Sequence, residues 1–132
     1  MSYLEWEGAR QENEMFEMRN STSAEMQKCM EDCHHCHMMC LQMAATHCLE
    51  MGGKHTEPAH MRLMLDCAEI CQTAMNFMAR NSAHHAVACQ ACAEVCRACA
   101  ASCERVGDME DCVQACLRCA ESCEQMTSMA SA

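Results

Sequence analysis

Cys89, Cys92, Cys96, Cys99 and Cys103 follow one another at alternating steps of three and four, as do Cys112, Cys116, Cys119 and Cys123, and Cys29, Cys33, Cys36 and Cys40. Thiolate is a soft ligand that suits Cu(I), Zn and iron–sulfur clusters. The repeated C-x3-C pairs (Cys29/Cys33, Cys36/Cys40, Cys67/Cys71, Cys92/Cys96, Cys99/Cys103, Cys112/Cys116, Cys119/Cys123) put two sulfurs one helical turn apart on a shared face. Two such sulfurs can turn toward each other and pinch a linear Cu(I), and a neighbouring helix can add a third.

Charge narrows the choice of metal. A buried Zn with four thiolates carries two excess negative charges, and stacking several in a dry core is costly. One thiolate per Cu(I) is neutral, and each sulfur can bridge two coppers. Multiple Cu(I) ions per chain are therefore expected, up to about one per cysteine. The ferredoxin run C-x2-C-x2-C-x3-C is absent. Cysteines along one helix are badly oriented for S–S bonds. Two other readings stay open here: a thiol redox protein using pairs such as Cys89/Cys92, and a zinc or heavy-metal scavenger.

Steps of three and four are the a and d seam of a helix, so the elements that position the thiols can be read next. Gly, Pro and polar punctuation predicts helices over 22–51, 57–80, 83–106 and 109–128. Thr22 to Glu25 reads as a capping box, Gly52-Gly53 as a stop, and Pro58 as a first-turn residue. Gly107 ends the third helix, and Asp108 is the expected cap of the fourth. Short connections make the fold all-α, an up-down-up-down antiparallel four-helix bundle with a Cys-lined core. Residues 1–21 form a short N-terminal extension, and 22–132 the bundle.

Antiparallel registers taken turn by turn give two all-cysteine layers: Cys40, Cys67, Cys96, Cys119, and Cys36, Cys71, Cys92, Cys123. Outward lie Met43, Met64, Cys99 and Cys116, then His47, His60, Cys103 and Cys112, with Met109 beyond. In the other direction lie Cys33, Ala74, Cys89 and Met126, then Cys29, Met78 and His85. Fifteen of the sixteen cysteines share the inner face, and only Cys48 falls out of phase. Met43, His47, His60, Met64 and Met109 are neutral donors at one end and mark the expected mouth. Met26, Met30, Met78, His85 and Met126 mark a rival one. In the run His34 to Met39 only Cys36 points inward.

The net charge of −10 removes nucleic acid from the expected partners, because phosphate contacts need basic patches. It gives no attraction to anionic membranes either. The start MSYLEWEGARQENE carries no apolar run or twin Arg, so a cytoplasmic setting with reduced thiols is expected. The expected activity is binding and storage of Cu(I), not catalysis, with an unknown copper donor or acceptor.

The four Cys-lined helices, the C-x3-C and C-x2-C steps and the Met/His set at one end resemble the bacterial copper storage proteins, the Csp family, in its cytosolic branch. The likeness covers about residues 22–128. It implies a four-helix bundle holding many Cu(I) ions, a tetramer, Cu(I) ligation by the fifteen seam cysteines, and intake through Met43, His47, His60, Met64 and Met109. The chain departs from the pattern by carrying only Cys67 and Cys71 on its second helix.

Overall fold

The computed structural model describes residues 23–131, with side chains through 128. The expected extension 1–21 lies outside the described residues. Helix α1 runs as α-helix over Ala24–Met43, as a π turn over Ala44–Cys48 and again as α-helix over Leu49–Met51. A 3-10 turn, Gly53–Thr56, leads to α2 (Pro58–Ala79); α3 (His85–Val106) and α4 (Glu110–Ser131) follow. Each helix packs on its neighbours in sequence, and α1 closes on α4, so the chain is a four-helix bundle.

The helix ends follow local chemistry. Ser23, not Thr22, caps α1: its Oγ accepts the Met26 N–H at 3.1 Å, and Thr22 lies outside the described residues. Pro58 occupies the first turn of α2, where its missing N–H costs nothing. Gly52 and Gly107 end their helices at φ 66° and 83°, backbone that side chains with a Cβ rarely adopt. Asp108 does not have the extended backbone of a cap. It sits at φ 56°, and α4 begins beyond it, with the Val113 N–H on the Met109 carbonyl.

The inner stripe of α2 is His60, Met64, Cys67, Cys71, Ala74 and Met78; that of α4 is Met109, Cys112, Cys116, Cys119, Cys123 and Met126. Both keep alternating steps of four and three. Buried alanines flank the seams, among them Ala68, Ala88, Ala93, Ala100, Ala115 and Ala120. Short side chains let helices approach closely, which brings sulfur atoms across the bundle into contact. On the outer α1–α4 edge, Lys28 and Ser122 both donate to the Asp32 carboxylate.

The π turn changes one expectation. Cys36, Cys40, Ala44 and Cys48 are all buried, a run of steps of four. Such steps drift around an α-helix but hold one face where the turn is wider than 3.6 residues. Thr46 Oγ1 donates to the Gln42 carbonyl at 2.7 Å inside this segment, a side-chain bond of the kind that loosens and bends helices. Cys48 therefore points inward with no measurable exposure, and His47 is rotated to the flank.

Candidate metal centre

All sixteen cysteines are free thiols with buried side chains. Their sulfurs form a staggered column. Cys29 and Cys33 lie 3.7 and 3.6 Å from Cys123, and Cys119 lies 3.6 Å from Cys33. Cys71 joins Cys96, Cys119 and Cys92 at 3.6, 3.8 and 3.7 Å. Cys67 touches Cys96 at 3.7 Å and Cys116 and Cys36 at 3.9 Å; Cys40 touches Cys116 at 3.7 Å.

The column is not built from the two flat layers expected. Three groups bring four sulfurs within 4.8 Å: Cys33, Cys92, Cys119, Cys123; Cys36, Cys71, Cys96, Cys119; and Cys36, Cys40, Cys67, Cys116. A fourth has three: Cys29, Cys89 and Cys123. Each turn shifts the seams by less than a full step. Carried around four helices, those offsets slide α4 one step along α1. Cys40 thus meets Cys116 where Cys119 was expected, and Cys36 groups with Cys119 where Cys123 was expected.

The spacings fix what the groups can hold. The centre of a sulfur triangle with edges of 3.6–3.9 Å is about 2.2 Å from each corner, near metal–thiolate bond lengths of about 2.3 Å. A linear S–metal–S unit would span about 4.5 Å. The one-turn pairs Cys36/Cys40 and Cys92/Cys96 stand closer, at 3.9 and 3.8 Å. Three sulfurs around one ion fit this lattice better than the pinched pair expected from the spacing.

Protonation within the column is cooperative. Hydrogen bonding with neighbouring thiols pulls Cys36 (first with Cys116), Cys92 (first with Cys119) and Cys119 (first with Cys123) below the usual thiol range. Other thiols are pushed up: Cys116 chiefly through Cys36, and Cys123 and Cys71 chiefly through Cys119. Burial raises each of them as well. Thiolates here are stable only beside a proton or a cation.

Toward the first and third turns the donors become mixed. Cys48 Sγ lies 3.6 Å from His60 Nε2 and 3.9 Å from Met109 Sδ. Ser102 Oγ holds His60 Nδ1 at 2.8 Å, which fixes the ring so that Nε2 faces the thiol. Burial pushes the His60 pKa down and that of the Cys48 thiol up. Met64 Sδ sits 3.6 Å from Cys99 and 3.5 Å from Cys103.

His60, Met64 and Met109 are thus brought to the core, whereas Met43 is half-buried and His47 stacks edge-on against His55 at 5.2 Å. His47 Nε2 is buried without a hydrogen-bond partner. Cys48, His55 and Ser102 are the residues that sequence reasoning missed here. His55 is buried, with Nε2 2.9 Å from the Gly107 carbonyl. In the tract 34–39, only Cys36 is buried, and His37 Nδ1 lies 2.7 Å from the Ala68 carbonyl. At the opposite end Met26, Met30, Met78 and Met126 are all buried, with Met78 Sδ 3.8 Å from Cys89 Sγ.

Among the described residues no helix is long and apolar enough to cross a membrane. The family model described as "Copper storage protein" matches residues 21–128. A crystal structure of the Nmul_A1745 protein from Nitrosospira multiformis is 52% identical with a TM-score of 0.80, over 82% of this chain and 99% of that one. Cu(I)-bound copper storage protein BsCsp3 is 33% identical, TM-score 0.72, over 78% and 98%. A mutant of Streptomyces lividans Ccsp is 26% identical, TM-score 0.70, over 83% and 97%. An uncharacterized cysteine-rich protein, YhjQ of Bacillus subtilis (strain 168), is 35% identical over 75 residues, 57% of this chain and 62% of its own length.

Proposed function

The chain belongs to the copper storage protein family, and from that premise we propose that it stores and buffers Cu(I), many ions per chain, on the thiolates of its bundle core. The observation that carries this reading is the overlap of the sulfur groups. Cys36, Cys119 and Cys123 each belong to two groups at once. A divalent ion that needs four thiolates of its own cannot fill overlapping groups without conflict. Cu(I), with bridging thiolates and one positive charge per sulfur, can fill them while the core stays near neutral. The role is storage and not catalysis.

The fifteen seam cysteines and Cys48 are the ligands in this reading. The end that holds His60, Met64 and Met109 is the mouth, with Met43 and His47 at its rim. Neutral thioether and imidazole donors there bind Cu(I) less tightly than thiolate, so an ion can be taken up and passed inward. A cytoplasmic setting and a homotetramer complete the proposal.

Anaerobic titration with Cu(I) against a competing chelator, with metal counted per chain, tests it. Sixteen thiols hold at most about four tetrathiolate ions, so zinc saturates there, while Cu(I) should pass well beyond that number. Saturation of both metals at the same count would leave the scavenger reading as the better one. Loading also expels thiol protons, so copper affinity should fall as pH falls.

A further inference from the structure

The sulfur groups differ in one respect. Three have four thiols, and the group at the end away from the mouth, Cys29, Cys89 and Cys123, has three. It draws one thiol each from α1, α3 and α4 and none from the second helix. There α2 carries Ala74 and then Met78, whose side chain is 1% exposed and whose Sδ lies 3.8 Å from Cys89 Sγ. The same helix does the same thing at its other end, where Met64 Sδ meets Cys99 and Cys103 at 3.6 and 3.5 Å. Between the two methionines stand Cys67 and Cys71, the only thiols of α2.

We propose that Met78 is a Cu(I) ligand, supplying the thioether corner of a terminal site completed by Cys29, Cys89 and Cys123. The pattern explains why α2 is poor in cysteine. Its stripe carries thiols at the middle, Cys67 and Cys71, and a thioether on either side of them, Met64 and Met78. A thioether adds a soft donor without a charge, so the last group gains a ligand without a fourth buried anion. A leucine would fill the same volume, and nothing in packing alone asks for sulfur there.

This inference rests on the storage reading, and the test separates the two. The full reduced chain, labelled with 13C at its methionine methyls, is titrated with Cu(I) anaerobically, and Met78→Leu assigns the resonance. The Met78 methyl should move as the core fills. At a fixed chelator concentration, Met78→Leu should retain about one copper fewer than the unaltered chain, and Met78→Cys should restore that ion. Helical content and thermal midpoint of each metal-free variant establish that the bundle is intact. If the chain fills with copper while the Met78 methyl keeps its metal-free position, Met78 is only core filling and the inference is overturned. If no copper is retained at all, the storage reading falls with it.

Discussion

Replacing Cys36 and Cys119 together by alanine tests whether copper ions share their ligands. Both thiols belong to the group Cys36, Cys71, Cys96, Cys119, and each also belongs to one adjoining group. The double variant leaves the middle group with two sulfurs and each neighbour with three. If every thiol held its own ion, two would be lost. If each thiolate bridges the ions of the two groups it belongs to, the two deletions strip ligands from three groups, the middle one twice, and the loss approaches about three. Cys48 and Cys112, which belong to none of these groups among the described residues, supply the comparison. Their double alanine variant should lose about two at most. Each Cys→Ala change removes one sulfur from a close-packed core and should cost about 1 kcal/mol in the metal-free protein, too little to unfold the bundle. The assay is chelator competition with metal analysis of the desalted protein under anaerobic conditions. Equal losses from the two double variants would refute ligand sharing, and with it the argument that overlapping groups select a monovalent ion.

Three further outcomes follow from particular residues. The pKa of His60 is depressed by burial, so the folded chain binds fewer protons than the unfolded one once pH drops below the ordinary histidine value of about 6.5. Metal-free stability should thus be fully present above that pH and decline below it, and His60→Gln should flatten that part of a melting-temperature profile. Asn81 sits at φ 52° just after α2, so Asn81→Gly should raise the stability read from urea unfolding by up to about 1 kcal/mol. Deleting the exposed Ala45 should remove the extra residue of the π turn and leave Cys48 at the inner position that regular α-helix gives to residue 47, so Cys48 should stay closed to iodoacetamide in the native protein while the π turn is lost.

Much of the bundle was legible because thiols and alanines repeat at helical spacing and turns are marked by Gly and Pro. The inner faces of α2, α3 and α4 follow directly from steps of three and four. The phase of Cys48 was not legible, because nothing local in Ala-Ala-Thr-His-Cys signals an extra residue in the turn; it depends on Thr46 reaching back to Gln42. The register between α1 and α4 escaped for a different reason. Those helices share no turn, so their offset is the sum of three others, and half-step errors accumulate. Ser102 and His55 are ordinary surface-type residues until the fold sets one against His60 and the other against the Gly107 carbonyl. The mixed donor set at the mouth is therefore a product of tertiary structure, with Cys48 taking the place that spacing assigns to His47.

The alanine-flanked, sulfur-filled interior has a consequence for the lifetime of the molecule. Ala and Cys give up little side-chain entropy on folding, but they also withdraw little hydrocarbon from water. An empty chain is accordingly held together by weak forces, and every bound ion adds the free energy by which the preassembled sulfur column holds it more tightly than the thiols of the unfolded chain do. Resistance to heat and to proteases should climb step by step with cargo. A cell's degradation machinery would then remove vacant copies first and spare full ones, which makes the persistence of the protein itself a gauge of how much copper it carries.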